Sequence, residues 1–407
     1  MKARLLRPAD PVLLILALVA TLGGLFFIFD AGYARSIRDN YGVLPREFRS
    51  QLMVAGISIL LSGAVMLVPI QRWEKLAKPI FWFTVVLAFL VAVPGIGMTM
   101  SGATRWIKFG PIQIQPSEFL KVSVVMFLAA ALAGRKAWPT KIKRPKDFAD
   151  RLDRLWIPKL VRAIPFLLVI AVCLKVEREP DLGTAAVIMA TAFAMLFLGG
   201  VSKKSLAYMA VIGLVGVFFI AKLEPYRLER ITNHGERWSS EHVDDVGFQT
   251  TQSETAMAAG GLVGVGVGAG RAKHILPAAT TDFVMTTIAE ETGLMGAIVV
   301  CAILAGIVFR LFYLSAYSQS DFARLVLQGI ACCLAIQASV NVMMANGTLP
   351  PIGIPLPFFS SGGSSLIALW IAIGVAQSAC AEQPTLEGRN EGHRNGWRNW
   401  RSRLSGS

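Results

Sequence analysis

Residues 12–30 read VLLILALVATLGGLFFIFD, an apolar run with no ionisable side chain before Asp30. A helix needs about 20 such residues to cross a hydrocarbon core roughly 30 Å thick. Lys2, Arg4 and Arg7 precede the run, so the N-terminus imitates a secretory signal. The run is longer than a signal's apolar region of roughly 7–15 residues, and Gly32-Tyr33-Ala34 makes a poor cleavage site. The stretch reads as an uncleaved first span. Working outward, the same criterion marks 51–69, 79–95, 117–133, 163–176, 184–199, 205–221, 284–309, 325–345 and 363–381. The fifth and sixth spans are short and meet at Glu177-Arg178-Glu179-Pro180-Asp181, which leaves open two spans or one broken re-entrant unit. The expected fold is an all-α polytopic membrane protein of about ten transmembrane helices, with a large extracytoplasmic loop between helices 7 and 8. It divides into an N-terminal tail 1–11, a transmembrane domain 12–381 and a basic tail 382–407.

Composition agrees. Of 407 residues, 54% are hydrophobic and 16% charged, against about 25% charged in soluble domains. Mean hydropathy is +0.56. The net charge of +14 raises nucleic acid as a partner, but the basic residues lack interleaved stacking aromatics. They cluster instead in 134–162 and in the tail, the pattern that orients membrane proteins and meets anionic lipid headgroups. Both termini are expected in the cytoplasm. Cys173, Cys301, Cys332, Cys333 and Cys380 all fall in apolar runs without metal-ligand spacing, so they read as small hydrophobes.

Two outer segments carry more than a connection requires. Residues 222–283 are polar and Gly-rich. Residues 346–362 hold four prolines, so no regular helix can form there. Long loops in compact folds are ordinarily functional. Ionisable groups near spans need a partner or a function. Glu118 and Lys121, at i,i+3, share a helix face and can neutralise each other, as a structural pair or as part of a site. Glu290 and Glu291 point roughly 100° apart on span eight, so at least one should face a polar cavity. Asp282 precedes span eight, where it reads either as an N-cap or as an acid reaching a membrane-anchored substrate. Asp181, after Pro180, has the same two readings. Arg105 and Lys108 form a cationic patch beside Trp106, a headgroup anchor or a pyrophosphate clamp. GGLVGVGVGAG at 260–270 lacks the βαβ context and the Lys-Ser/Thr of nucleotide loops. Its glycines suit close packing.

Taken in order, GATRWIKFG and QPSEFLK (102–121), EPDLGTA (179–185), PYRLERI (225–231), GGLVGVGVG, KHILP and TDF (260–283), AEETGLMG (289–296) and GTLPPIGIPLPFFSSGGSS (347–365) resemble the FtsW/RodA/SpoVE (SEDS) family of bacterial cell-wall polymerases. VPGIG at 93–97 and the basic tail are closer to the FtsW branch. The resemblance implies a ten-helix peptidoglycan glycosyltransferase acting on lipid II, an undecaprenyl-pyrophosphate disaccharide-pentapeptide, with a class B penicillin-binding transpeptidase as partner. The family's proposed catalytic aspartate falls on Asp282. Other motif residues fall on Arg105, Glu118, Lys121, Asp181, Lys273, Glu290 and Ser364. Ala278 and Thr280 stand where the family commonly has Glu and His, and Ser361 where it has Tyr.

The chemistry implied is an inverting displacement, from an α-linked sugar pyrophosphate to a β-1,4 bond. One carboxylate suffices as general base on the acceptor hydroxyl. Arg105, Lys108, Lys273 or a divalent cation, Mg or Mn, can neutralise pyrophosphate, and no organic cofactor is expected. The rival readings are a lipid II flippase, with Glu118, Lys121, Glu290 and Glu291 lining a path, a RodA-like elongation polymerase, and a non-catalytic scaffold.

Overall fold

The computed structural model describes residues 9–38, 43–100, 103–109, 112–133, 157–177, 181–202, 204–211, 213, 234–239, 242–243 and 247–381. The loop 134–156, the PYRLERI motif, most of span seven and the tail 382–407 lie outside them.

Helices form where the apolar runs predict. They are α1 (Pro11–Arg38), α2 (Arg46–Met66), α3 (Ile70–Leu90), α4 (Pro116–Ala133), α5 (Ile157–Glu177), α6 (Leu182–Leu198), α7 (Phe248–Gly260), the single turn α8 (Ala272–Ile275), α9 (Val284–Ser315), α10 (Asp321–Ala345) and α11 (Gly363–Cys380). Six of these are long and apolar enough to cross a membrane among the described residues, and α5 and α6 contribute shorter apolar cores. The chain is a multi-pass membrane protein. α5 and α6 are two helices packed on each other rather than one broken unit, and α5, at 21 residues, extends about 31 Å. α3 starts earlier than its expected span and carries Pro79 inside it.

α4 and α11 are the central helices, with most of their residues buried. α1, α2, α3 and α9 turn large apolar side chains such as Leu60, Phe83 and Phe309 outward, the signature of a lipid-facing surface. One apolar core runs through the bundle, with Phe81 stacked on Phe127 at 4.2 Å.

Two sets of charges bracket the apolar length. On one side Arg310 of α9 pairs with Asp10, whose backbone carbonyl accepts a bond from Gln377 of α11 at 3.0 Å. On the other side Lys273 bridges Asp30 of α1 at 2.7 Å and Glu291 of α9 at 2.6 Å. No Asp, Glu, Lys or Arg occurs in 11–29 or 292–309. At 1.5 Å per residue, each stretch separates its two charged ends by about 30 Å, the thickness of a hydrocarbon core.

Among the described residues, strands appear in one place. Residues 97–114 form a three-stranded antiparallel sheet, β1 (Gly97–Met100), β2 (Ala103–Phe109) and β3 (Ile112–Ile114), in the order β1-β2-β3. ATRWIKF alternates along β2, with Ile107 buried and Lys108 exposed, as a half-buried strand requires. The Pro-rich loop 346–362 also folds inward. Phe358 and Phe359 press against α1 so closely that a Cβ on Gly24 would lie 2.3 Å from the Phe358 carbonyl oxygen. Only glycine permits that approach.

Candidate active site

Asp282 sits on a turn in which the Phe283 N–H bonds the Ala278 carbonyl at 3.1 Å. Helix α9 starts at Val284, with Phe283 in the N-cap position and no side-chain cap. The carboxylate of Asp282 is therefore not spent on capping, and the N-cap reading of this residue fails. Asp181 shows the contrast. It is the N-cap of α6, accepting from the Thr184 N–H at 3.2 Å, and its other oxygen accepts from Gln115 Nε2 at 3.1 Å and Ser117 Oγ at 3.0 Å.

The main chain beneath Asp282 is gripped carbonyl by carbonyl. Thr280 O accepts from the Ser361 N–H at 2.8 Å, and Thr281 O accepts from Ser360 Oγ. Asp282 O accepts from Asn341 Nδ2 at 2.8 Å, and the same amide donates to Ile354 O at 2.7 Å. One turn along α10, Gln337 repeats the device. Its Nε2 donates to Pro355 O at 2.9 Å, while its Oε1 accepts from Lys121 at 2.8 Å. Two carboxamides at i and i+4 thus fix the Pro-rich loop and, through it, the Asp282 turn.

Above this support is a polar cavity of about 140 Å³ lined by Arg105, Leu182, Gln249, Asp282, Phe283, Met344, Pro351, Ile352 and Gly353. Its volume suits several waters or a sugar hydroxyl group and its surroundings. Arg105 enters it from a bulge. Met98 pairs with Trp106 and Thr99 with Thr104, which leaves Arg105 as the extra residue of β2. Bulges recur beside sites because they re-aim a side chain. Burial pushes the Asp282 carboxyl up to about 6, opposed by the charge of Arg105 and assisted by that of Asp181. A carboxyl poised there is a competent general base near neutral pH.

The other expected site residues divide. Lys108 is exposed and absent from the cavity lining. Arg105 lines that cavity and Lys108 does not, so the two cations do not form one clamp. Glu118 and Lys121 form a buried ion pair at 2.8 Å, lining a separate, mainly apolar cavity of about 30 Å³. Lys273 is held by its two carboxylates rather than turned to the Asp282 cavity. Glu290 and Glu291 are both buried, and neither lines that cavity. Glu290 accepts from the N–H groups of Arg271 and Ala272 at 2.9 Å each, so it caps α8. Ser364 accepts from the Gln115 N–H at 2.9 Å and fastens the end of the sheet to α11. Sequence reasoning passed over Gln249, which lies in a polar run, and Gln337 and Asn341, amides in the apolar span 325–345. The amide inside a span was the signal available, since an unpaired one is costly there.

The family described as "FTSW_RODA_SPOVE: Cell cycle protein" matches residues 10–384. The "Probable peptidoglycan glycosyltransferase FtsW" of Geobacter sp. (strain M18) is 33% identical over 371 residues, 90% of this chain and 95% of that relative. "Stage V sporulation protein E" of Bacillus subtilis (strain 168) is 31% identical over 369 residues, with coverage of 90% and 95%. A solved structure described as "Structural coordination of polymerization and crosslinking by a peptidoglycan synthase complex" is similar with a TM-score of 0.73 at 28% identity, over 92% of this chain and 99% of that one. The rod shape determining protein RodA of Thermus thermophilus is similar with a TM-score of 0.62 at 26% identity, over 92% and 97%. The family match runs from residue 10 to residue 384, nearly the whole chain, and this chain belongs to the FtsW/RodA/SpoVE family of cell cycle proteins.

Proposed function

We propose that this chain is a peptidoglycan glycosyltransferase that polymerises lipid II into β-1,4 glycan strands for septal wall synthesis, on the outer face of the bacterial cytoplasmic membrane. The observation that carries the reading is Asp282, an uncapping carboxylate facing Arg105 across a polar cavity. The names of the curated relatives support the same chemistry.

In the reaction, Asp282 takes the proton from the 4-hydroxyl of the acceptor sugar as the oxygen attacks the anomeric carbon. The pyrophosphate leaves from the opposite face, which inverts the linkage. Arg105 offers a fixed cation toward the charge that builds on the departing pyrophosphate. Asn341 and the Pro-rich loop hold the base still, which is where an orientation advantage arises. Glu118 and Lys121 neutralise each other beside a small apolar-lined cavity, a poor wall for a flippase path. The described residues contain no group of three acidic, His or Cys side chains able to hold an ion, and Asp181 is engaged by its own donors. A Mg or Mn ion would therefore rest chiefly on the substrate's own phosphates, where it would share the charge that Arg105 faces, and no step here is routed through one.

The orientation follows from the basic segments, with both termini and 134–162 in the cytoplasm. A class B penicillin-binding transpeptidase, docked through its single transmembrane helix, is the proposed partner, and the neighbouring synthase complex is consistent with it. The test is lipid II polymerisation by purified protein, with and without a cognate single-pass transpeptidase. Glycan strands of β-1,4 linkage are expected, more abundant with the partner. Absence of product under both conditions, from well-folded protein, overturns the assignment.

A further inference from the structure

The segment 248–283, expected as part of a polar outer loop, folds as a descending and returning hairpin. Gln249, at the start of α7, lines the Asp282 cavity. Further along, Ser253 lies beside Thr286 of α9. At the end of α7 a Cβ on Gly260 would lie 2.1 Å from the Ala289 carbonyl oxygen. α7 therefore runs alongside the first part of α9 and in the same direction, away from Asp282. The chain then turns through 261–267 and returns by α8, whose Lys273 meets Glu291 and Asp30.

The turn is stitched into α9. Val265 and Gly266 N–H groups donate to Glu290 and Glu291 carbonyls at 3.0 and 3.1 Å, and Leu294 and Met295 N–H groups donate to Gly261 and Leu262 carbonyls at 2.9 and 3.2 Å. Helix α9 opens to admit it at Gly293, φ 68°, a conformation that costs glycine little. Main-chain groups bonded in this way tolerate an apolar solvent. The side chains suit one. Leu262 is 66% and Val263 73% exposed, and Val265, Val267, Leu294, Met295, Ile298 and Val299 are exposed with them. This patch continues directly into the outward face of α9. Leu294 and Met295, which the turn bonds, belong to the uncharged stretch 292–309, below the Asp30–Lys273–Glu291 cluster.

We propose that residues 261–267 are the tip of a re-entrant hairpin seated in bilayer hydrocarbon, in the leaflet on the Asp282 side. The occupant is lipid, because the apolar tip is level with an apolar stretch that itself spans the membrane and merges with its lipid-facing surface. Membrane hydrocarbon then becomes part of what positions the α8–Asp282 segment.

The test is depth measurement on the full chain in vesicles of phosphatidylethanolamine and phosphatidylglycerol. The five native cysteines are replaced and a nitroxide is placed on Val263→Cys, with Val299→Cys as lipid-facing reference and Lys108→Cys as aqueous reference. Relaxation by oxygen should exceed relaxation by a water-soluble nickel chelate several-fold at position 263, as at 299 and unlike 108. Nickel access equal to that at 108 overturns the proposal, and so does shielding from both reagents, which means protein covers the tip. If the cysteine-free chain fails to fold, a photoreactive amino acid at 263 in the otherwise native chain replaces it. Phospholipid adducts support the proposal. Adducts to protein alone, or to neither, refute it.

Discussion

Asp282 and Glu291 lie on one descending segment, and their carboxylates meet opposite surroundings. Glu291 is buried against Lys273, within a cluster that Asp30 completes, and Glu290 beside it is consumed by two backbone N–H groups. Asp282 faces a polar cavity with a cation across it and its main chain fixed from below. The first arrangement is what a bundle does to make charges tolerable at the edge of lipid. The second leaves a carboxylate on a polar cavity that a substrate can reach. Possession of an acid in a motif does not separate the two. The surroundings of its oxygens do.

The largest test of that contrast is Asp282→Asn. The variant should fold and insert normally, because the helix behind it is not capped by this side chain. Lipid II polymerisation should fall by roughly 10²–10⁴-fold, the usual contribution of general acid–base catalysis. An active, well-folded variant would show the cavity to be incidental.

Lys273→Met probes the other region. It strands two carboxylates, Asp30 and Glu291, in a buried site. Breaking a buried pair from one side costs about 3–5 kcal/mol, so thermal unfolding in detergent should occur well below wild type. Adding Glu291→Gln should restore part of the loss, and the surviving folded fraction should keep its rate per molecule. A lower rate in fully folded protein would instead move Lys273 into the reaction.

The pH dependence sharpens the comparison from the chemical side. Asp282 must be ionised to act as base, so polymerisation should rise with pH through about 6 and level off above it. The carboxyl value is raised above that of the unfolded chain, so its share of folding stability is present at low pH and is lost as pH rises through about 6. Arg105→Gln removes the charge that holds the value down and should move the acid limb upward by about one pH unit. An unmoved limb would separate Arg105 from the base.

Much of this was legible in the sequence, because membrane solvent acts on length and polarity, which a sequence displays directly. The spans and the pairing of Glu118 with Lys121 follow from that, whereas Asp282 was singled out by the family resemblance, its local pattern reading equally as an N-cap. The sheet at 97–114 was missed because strands of 4, 7 and 3 residues carry little pattern, although ATRWIKF alternates. The hairpin 248–283 was missed because its polar residues are satisfied by partners distant in sequence, such as Ser253 by Thr286 and Ala345. Lys273 looked available for the same reason, since Asp30 lies 243 positions away. Long-range pairing decides which charges remain free, and residue type alone does not report it.

The smallest expected effect tests the cation pair that the sequence suggested. Arg105 and Lys108 occur in one short motif, and a shared clamp on pyrophosphate predicts similar losses from either. The strand says otherwise. Arg105 is the bulged residue turned to the Asp282 cavity, whereas Lys108 lies exposed opposite Gln113 of β3. An exposed substitution away from such features ordinarily changes stability by about 0.5 kcal/mol or less. Lys108→Ala should therefore leave the melting temperature and the acid limb in place, and, with no place in the cavity to lose, its polymerisation in detergent should stay within roughly 2-fold of wild type, a barrier change of about 0.5 kcal/mol. Any larger effect should appear only in vesicles of anionic lipid and weaken as salt rises, because a headgroup contact is screened. A loss matching that of Arg105→Gln, in detergent and at every salt concentration, would restore Lys108 to the site.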